Sequence, residues 1–413
     1  MEDTPPSLPK KIDLAIIGAG PHALTLVTHL LQKRQTMRGR FLVFDKSGKW
    51  MNHWQHQFAA LEIPHLRSPA VHHPDPNPFA LRKFAESRPN ELFPPYDLPG
   101  TRLFEDFCQD VIRRFSLQQE LIPLDVTRIQ PLPHPMRPRL CLWLQDGQSI
   151  IARRVVLATG SSKVQKPDWV NQIGSTYPQD RLCHSQSVDL RKLNLMGERV
   201  LIVGSGLTSG HLAIGAISRG AKVHLAIKRQ LQEKLFDAEP GWLEPKYLKG
   251  FFAQQDYEQR FGMIKQARNG GSMTPAMGMQ LRREVRKGRL RIDENCQVVL
   301  AEWLGENWRV QCSDGSQHEY SRIWLSTGTQ FDVTSEALLQ EVLEAYPINI
   351  VNGLPVLDEY LRWWGCELFL MGGLAALQVG PTARNLSGAR MASEKIVPAI
   401  IKSSIALSNP ISA

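Results

Sequence analysis

The hydrophobic and polar positions along the chain repeat one pattern in two places. Residues 11–45 and residues 198–228 each begin with a short apolar run, pass through Gly-x-Gly into a helical pattern of apolar positions, and end in a second apolar run. This succession predicts a strand, a tight turn, a helix and a second strand, the first βαβ unit of a dinucleotide-binding fold. We therefore predict an α/β protein with two Rossmann-like dinucleotide-binding domains.

Each half continues in the same way beyond its glycine turn. An Asp-Gly pair between apolar runs predicts a β-hairpin in each half, at Asp146-Gly147 and at Asp314-Gly315. A later strand then ends in Thr-Gly in both halves. The predicted strands are 126–130, 140–144 and 155–158 in the first half and 308–312 and 320–325 in the second, and a helix is predicted over 102–115.

The last third of the chain returns to one of these halves. Residues 366–371 form a predicted strand, followed by Gly372-Gly373, and residues 383–401 show a helical pattern. A proline at the first helical position, with a glycine before it, predicts that this helix begins near Gly380-Pro381. The economical arrangement inserts the second domain into the first. The predicted limits are 1–196 for the first part, 197–328 for the inserted domain with its helical insertion, and 329–413 for the return.

The first glycine turn has the pattern Gly-x-Gly-x-x-Ala. The first glycine allows the tight turn, the second lets a pyrophosphate approach the backbone, and the alanine lets helix and strand pack closely. The helix start supplies N–H donors to the phosphates. The second strand ends at Asp45, whose carboxylate suits the hydroxyls of an unphosphorylated ribose, as in FAD or NAD. The predicted cofactor-binding residues are Gly18, Gly20, Pro21, His22, Ala23, Asp45 and Lys46.

The second glycine turn differs from the first at the end of its second strand. Two cations stand there and no acid, which suits the 2′-phosphate of NADP. Lys222 or His224 could substitute for either cation, and a solvated strand end is the alternative. The predicted cofactor-binding residues are Gly204, Gly206, Thr208, Ser209, Lys228 and Arg229.

Composition narrows the classes of protein. Of the 413 residues, 42% are hydrophobic and 22% are charged, which is typical of a soluble globular chain. No apolar run is long enough to span a membrane, and residues 1–11 lack the apolar core of a secretory signal. The six cysteines contain no C-x-x-C pair, which excludes a redox-active dithiol and fits a reducing cytoplasm.

The net charge and the histidines bear on whether the protein binds phosphate-bearing cofactors, nucleic acid or a metal ion. The net charge of +9 can steer phosphate-bearing cofactors. We predict that the basic stretch 282–291 is a solvated helix end, so no nucleic-acid partner is expected. Five histidines fall within 53–73, but their spacing does not favour zinc, and no metal is predicted.

Two dinucleotide sites in one chain, each closing with Thr-Gly, resemble the flavoproteins with two dinucleotide-binding domains. Within that group the chain is most similar to the class B flavin monooxygenases, which include the flavin-containing monooxygenases and the lysine and ornithine N-hydroxylases. The similarity is carried by residues 43–50, by His184-Ser185 with residues 197–206, and by residues 326–329.

The resemblance implies FAD in the first domain and NADPH in the second. It implies an FAD-dependent, NADPH-using oxidoreductase, a monooxygenase that acts through a flavin C4a-hydroperoxide and passes one atom of molecular oxygen to a small amine-like substrate. It further implies cofactor contacts from the two Thr-Gly turns and from the start of the last helix, at the pyrimidine edge of the flavin. These residues are Thr159, Gly160, Thr327, Gly328, Pro381 and Thr382.

Two aromatic side chains have alternative interpretations. Trp54 follows the ribose strand closely, so it is expected beside the isoalloxazine ring, with packing or a surface position as the alternative. His184 is the candidate for organising the nicotinamide side, with a role between the domains as the alternative.

Two departures from the family pattern keep other functions open. The motif of aromatic, glycine and histidine before the NADPH site is reduced to His184, and Gly372-Gly373 is followed by Leu374 without the acid of many relatives. The alternatives are an NADPH-dependent flavoprotein reductase or oxidase without oxygen insertion, and a non-catalytic FAD-binding regulator. The oligomeric state and the identity of the substrate do not follow from the sequence.

Overall fold

The computed structural model describes residues 8–132, 138–160, 162–174, 176–268 and 270–402 of the chain. The prediction that residues 1–11 hold no secretory signal therefore rests mostly on residues outside these ranges. Among the described residues, no helix is long and apolar enough to cross a membrane.

The strands follow one another in two groups separated by helices. Their bounds are β1 Lys11–Ile17, β2 Phe41–Phe44, β3 Leu92–Phe93, β4 Leu98–Pro99, β5 Leu121–Ile122, β6 Val126–Leu132, β7 Arg139–Leu144, β8 Ser149–Leu157, β9 Lys163–Val164, β10 Leu182–His184, β11 Arg199–Val203, β12 Lys222–Ile227, β13 Leu290–Glu294, β14 Val298–Trp303, β15 Trp308–Cys312, β16 Gln317–Tyr320, β17 Arg322–Leu325, β18 Thr329–Gln330, β19 Ile350–Val351, β20 Leu354–Pro355 and β21 Leu368–Leu370.

The helices range from single turns to four turns. Their bounds are α1 Pro21–Lys33, α2 Asn52–Ala60, α3 Ala80–Phe84, α4 Thr101–Arg114, α5 Asp168–Asn171, α6 Leu207–Ser218, α7 Pro245–Ala253, α8 Tyr257–Arg268, α9 Pro275–Arg286, α10 Gln340–Ala345, α11 Ala376–Val379 and α12 Leu386–Ile401.

The first sheet has the strand order β5-β2-β1-β8-β7-β6, and β21 also pairs with β8. Strands β5, β2, β1, β8 and β21 are parallel, while β7 and β6 form an antiparallel extension. Strand β8 pairs with β7 along its first half and with β21 along its second half. Because β21 comes from the last third of the chain, the predicted return to the first domain is confirmed.

The second sheet is parallel throughout, with the order β10-β17-β11-β12-β13. Successive residues of β11 alternate between its two faces: Val200 and Ile202 pack in one apolar cluster and Leu201 packs in the other. Two sheets of dinucleotide-binding topology, one inserted into the other, confirm the predicted fold class.

The limits of the domains stay a prediction, and two observations bear on them. Strand β10 lies before the predicted limit at 197, yet it pairs with β17 in the second sheet. Trp242, Phe251 and Ile264 come from the predicted helical insertion of the second domain, yet they pack in the apolar core of the first.

Two predicted elements are corrected by the structure. The predicted strand 320–325 is two strands, because residues up to Tyr320 pair in an antiparallel hairpin and Arg322–Leu325 pair in the parallel sheet. The last helix does not begin near Gly380-Pro381 but at Leu386. Gly380, with a φ of +98°, ends the short helix α11, and a turn follows in which the Ala383 N–H donates to the Gly380 carbonyl.

Candidate functional site

The first glycine turn lies between the end of β1 and the start of α1. Gly18 has a φ of +98°, and a Cβ at this position would lie 2.8 Å from the carbonyl oxygen of Ala158. A Cβ on Gly20 would meet no atom within 4 Å, so space for a ligand lies over the backbone before the helix. Pro21 is the first residue of α1, and Ala23 is buried beneath it, as the sequence predicts.

The second glycine turn repeats this contact. Gly204 has a φ of +146°, and a Cβ there would collide with the carbonyl oxygen of Ser326. Ala158 and Ser326 are the residues that precede the two Thr-Gly pairs. The internal repeat seen in the sequence therefore extends to one backbone contact, in which the first glycine of each turn packs against the strand end that closes its domain.

Asp45 is fixed beside the first turn. The Ala19 N–H donates to its Oδ2 at 3.1 Å, and the N–H and hydroxyl of Ser47 both donate to its Oδ1. The carboxylate thus stands at the end of β2 next to the turn, as a ribose-binding acid requires. Lys46 is exposed to solvent beside it.

His22 carries a buried polar atom that the protein does not satisfy. Its Nδ1 has no hydrogen-bond partner among the described residues. Burial lowers the pKa of His22 to about 4, although a hydrogen bond to the backbone of Arg384 opposes this shift. A neutral imidazole with an unpaired nitrogen in the phosphate turn is the kind of group that a bound ligand satisfies. The residues of the first turn therefore fit FAD.

Trp54 belongs to an aromatic stack. It lies half-buried on α2, 4.0 Å from the ring of Phe58 and 5.2 Å from that of Phe104, measured between centroids. The packing interpretation is therefore seen in the structure, and contact with a flavin stays a prediction.

A large cleft of about 1890 Å³ lies beside the second glycine turn. The predicted residues that line it are Gly204, Gly206, Thr208, Lys228, Arg229, Thr327, Gly328 and Pro381. The first glycine turn, Ser209 and His184 are not among its lining residues. Ser209 is fully buried and its hydroxyl donates to the Gly206 carbonyl at 2.6 Å, so it shapes the turn.

The two cations after β12 lie at the cleft. Lys228 is exposed there, and Arg229 donates from Nη2 to the Gly271 carbonyl at 2.9 Å. The suggested substitutes are wrong. Lys222 lies at the opposite end of β12, and His224 is buried with its ring nitrogens directed at Tyr320 and Asp293. The second turn and its cations fit the phosphates of NADP.

The two Thr-Gly turns lie where the chain passes from one domain to the other, and the strands that follow them pair with each other. Strands β9 and β18 pair antiparallel just after Gly160 and Gly328 respectively. The Thr327 hydroxyl donates to the Gln165 carbonyl, and Thr159 is exposed. Direct cofactor contact by these four residues stays a prediction.

His184 contacts the second of these Thr-Gly turns. Its Nε2 lies 3.2 Å from the Gly328 carbonyl, and the Gln186 N–H donates to its Nδ1, so the ring is protonated at Nε2. Burial lowers the pKa of His184, although the hydrogen bond to Gly328 opposes this shift. With both nitrogens engaged by the backbone, the observed contacts match the interpretation as a histidine between the domains.

The start of the last helix differs from the prediction. Pro381 lines the cleft in the turn before α12, and Thr382 is buried with its hydroxyl 3.7 Å from the sulfur of Met391. These residues therefore present a turn to the cleft, and the amino end of α12 begins four residues beyond Thr382.

A group of arginines around one carboxylate was not predicted. Arg268 forms an ion pair with Asp237, and Arg67 and Arg384 each lie 3.9 Å from the same carboxylate. Burial alone would raise the pKa of Asp237, but the charges of the three arginines outweigh it and lower that pKa. All four residues line the cleft. They stand far apart in the sequence and share no motif, so no local signal marks them.

Within the described ranges, no group of three or more His, Cys, Asp or Glu side chains is arranged to hold a metal ion. All six cysteines are free.

The first part of the chain matches a known protein family. Residues 15–162 match a family described as FAD-NAD(P)-binding. No curated protein sequence matches the chain.

Solved structures match over nearly the full length of the chain. Ornithine hydroxylase from Pseudomonas aeruginosa is 17% identical with a TM-score of 0.75, over 94% of this chain and 98% of that one. Ornithine N-hydroxylase from Kutzneria sp. 744, solved with reduced FAD, NADP⁺ and L-ornithine, is 18% identical with a TM-score of 0.75, over 94% and 99%.

A third structure is the FAD-bound cadaverine monooxygenase of desferrioxamine biosynthesis from Erwinia amylovora. It is 13% identical with a TM-score of 0.75, over 95% of each chain. At these identities the likeness establishes architecture, and it confirms the predicted resemblance at that level. The chain has the fold of the flavin-dependent N-hydroxylases, with two dinucleotide-binding domains.

Proposed function

We propose that the protein is an FAD-dependent, NADPH-using monooxygenase that transfers one oxygen atom to the nitrogen of a small amine. The observation that carries this proposal is the likeness over 94–95% of the chain to enzymes that hydroxylate ornithine or cadaverine. The two glycine turns support it because each combines the backbone geometry of a phosphate turn with the strand-end residues that its cofactor needs.

The first turn is the proposed FAD site. The open space over Gly20 would receive the pyrophosphate, Asp45 would accept hydrogen bonds from the ribose hydroxyls, and the unpaired nitrogen of His22 would gain a partner. When bound, FAD supplies the redox chemistry with NADPH and molecular oxygen, and the protein supplies position and electrostatics.

The second turn is the proposed NADPH site. Gly204 and Gly206 shape the pyrophosphate turn, and Lys228 and Arg229 face the 2′-phosphate. The cleft beside this turn is large enough to hold both a nicotinamide and a small substrate. The arginines around Asp237 keep its carboxylate ionised in the wall of the cleft.

The test is rapid mixing of the purified protein. The protein is reduced anaerobically with NADPH and then mixed with oxygenated buffer, while its absorbance is followed. We expect a transient spectrum, distinct from those of oxidised and reduced flavin, that persists before reoxidation. Addition of ornithine, lysine or cadaverine should then show which amine speeds its decay and becomes hydroxylated.

Two other outcomes would contradict the proposal. Direct return to oxidised flavin with release of one peroxide per NADPH, for every amine offered, would indicate an oxidase or a reductase. Tight FAD binding without any reduction by NADPH would indicate a non-catalytic FAD-binding protein.

The cytoplasmic location stays a prediction from the cysteine pattern.

A further inference from the structure

One segment of the chain crosses from the second sheet to the first domain and back. It comprises residues 230–268 and 270–274, and we call it the crossing segment. After β12 ends at Ile227 the chain leaves the second sheet, and Trp242 and Phe251 become buried in the core of the first domain. The chain then returns through Gly270-Gly271 to α9, which precedes β13 of the second sheet.

The returning part of the crossing segment lies on the second glycine turn. Gly270 and Gly271 have φ values of +64° and +95°. A Cβ on Gly271 would lie 3.4 Å from the Cα of Gly206, and the Gly271 carbonyl accepts the hydrogen bond from Arg229. Ligand binding at this turn would therefore act directly on the returning part of the segment.

Helix α8 of the crossing segment, which ends just before this returning part, holds the turn between α11 and α12. Arg260 is buried and donates from Nη1 to the Leu377 carbonyl at 3.2 Å. Arg268 donates from Nη1 to the Pro381 carbonyl at 2.8 Å, while its ion pair with Asp237 fixes the guanidinium. The two arginines thus bond carbonyls on either side of Gly380.

This turn reaches the first glycine turn. Helix α12, which follows the turn directly, packs along α1, the helix that begins in the first glycine turn, and the backbone of Arg384 in the turn opposes the fall of the His22 pKa. The Gly271 N–H donates to the Arg268 carbonyl at 3.2 Å. Contacts therefore run from Gly206 and Arg229, through Gly271 and Arg268, to the turn at 380–385, and from there through α12 to α1. The two glycine turns are connected by a path other than the paired strands β9 and β18.

We propose that Arg268 is a positioning residue that couples the two cofactor sites, so that occupation of the second site strengthens FAD binding in the first. This inference rests on the proposed function, because it needs both sites to bind dinucleotides. Among the described residues, the Arg268 side chain bonds Asp237 and Pro381, and its carbonyl accepts from the Gly271 N–H. It acts by holding the Pro381 carbonyl, and through it the turn from which α12 packs on α1, relative to Gly271, which lies over Gly206.

The test compares the FAD dissociation constant without and with saturating NADP⁺, followed by flavin fluorescence with no turnover. For the unaltered protein we expect NADP⁺ to tighten FAD binding at least about fivefold, the lower end of typical coupling between sites. Arg268→Met should reduce this ratio to below about twofold. Arg268→Lys, which keeps a donor for the Pro381 carbonyl, should restore part of it.

The control is Lys249→Met, an exposed cation on α7 of the same crossing segment, which should keep the full ratio. Amide hydrogen exchange across 376–385 gives a second readout. NADP⁺ should slow it in the unaltered protein and leave it unchanged in Arg268→Met.

The outcomes separate this inference from the proposed function. If the unaltered protein binds both cofactors without coupling, or if Arg268→Met keeps the full ratio, the inference is overturned and the proposed function stands. If the unaltered protein binds no NADP⁺, both are overturned. If Arg268→Met does not fold, Asp237→Asn decides, because it removes the ion pair that fixes the Arg268 guanidinium: a ratio equal to that of the unaltered protein would overturn the coupling role.

Discussion

Two glycines, Gly18 and Gly204, determine how closely each phosphate turn approaches the strand that closes its domain. Both have positive φ values and both would place a Cβ against a backbone carbonyl. An added methyl group would therefore meet two penalties, an unfavourable backbone conformation and a collision that a side-chain rotation cannot relieve.

Gly18→Ala should abolish retention of FAD during purification. Gly39→Ala is the matched control, because Gly39 has a φ of +70° but a Cβ there meets no atom within 4 Å. The control should lower the free energy of unfolding by about 1–2 kcal/mol and keep its flavin. Flavin absorbance per protein and urea unfolding measure the two effects. Equal flavin content in both variants would contradict the role assigned to the contact with Ala158.

Lys228→Glu should raise the KM for NADPH at least about tenfold and change the KM for NADH by less than about twofold, since only NADPH carries the 2′-phosphate. Combining it with Arg229→Ala should enlarge the difference. Lys222→Glu, at the opposite end of the same strand, should change neither. Steady-state reduction of the flavin with each nucleotide measures this, and equal changes for both nucleotides would refute the 2′-phosphate assignment.

At the scale of the element, helix α9 shows how local chemistry fixes a boundary. The Thr274 hydroxyl accepts a hydrogen bond from the Met277 N–H at 3.2 Å, and Pro275 follows at the first helical position. Both features stabilise a helix start.

Thr274→Ala should lower the free energy of unfolding by about 1 kcal/mol, because the buried Met277 N–H loses its partner. Thr274→Ser keeps the acceptor and should recover most of that loss. Denaturant unfolding of the two variants is the measurement. A serine variant as unstable as the alanine variant would show that the methyl group matters and the hydrogen bond does not.

Other elements could not be delimited from sequence. Pro381 predicts a helix start, but Gly380 and the hydrogen bonds of the following turn delay that start to Leu386. Tyr320 and Arg322 lie in one apolar run yet pair in different sheets. At Pro381 the hydrogen bonds of a turn decide, and residue propensity does not describe them. At Tyr320 and Arg322 the pairing with different strands decides.

At the scale of the whole molecule, buried histidines make stability depend on pH. Burial is the largest cause of the lowered pKa values, about 4, of five histidines: His22, His29, His72, His211 and His224. In the unfolded chain these groups titrate near 6.5. Between pH 6.5 and 4 the unfolded state therefore binds more protons, so the free energy of unfolding falls as the pH falls.

We expect the midpoint of urea unfolding to fall steadily from pH 7 to pH 5, with each of these histidines contributing up to about 1.4 kcal/mol per pH unit. His29→Gln should reduce this slope, because it removes one titrating group. His53→Gln, on the exposed side of α2, is the control and should leave the slope unchanged. A midpoint independent of pH over this range would contradict the burial of these groups.

The sequence by itself determined the two phosphate turns, their strand-end residues and the insertion of one domain into the other. The turns and strand ends depend on neighbouring residues, since a tight turn needs its own glycines and a βαβ unit has a continuous pattern of apolar positions. The insertion could be inferred because a strand pattern recurs after the second domain, and the pairing of β21 with β8 confirms it. Only the tertiary structure decided where the crossing segment packs, which arginines surround Asp237, and how Arg268 meets the turn at 380–385. Those contacts join residues from separate parts of the chain. Their proximity follows from packing, and no local sequence pattern predicts it.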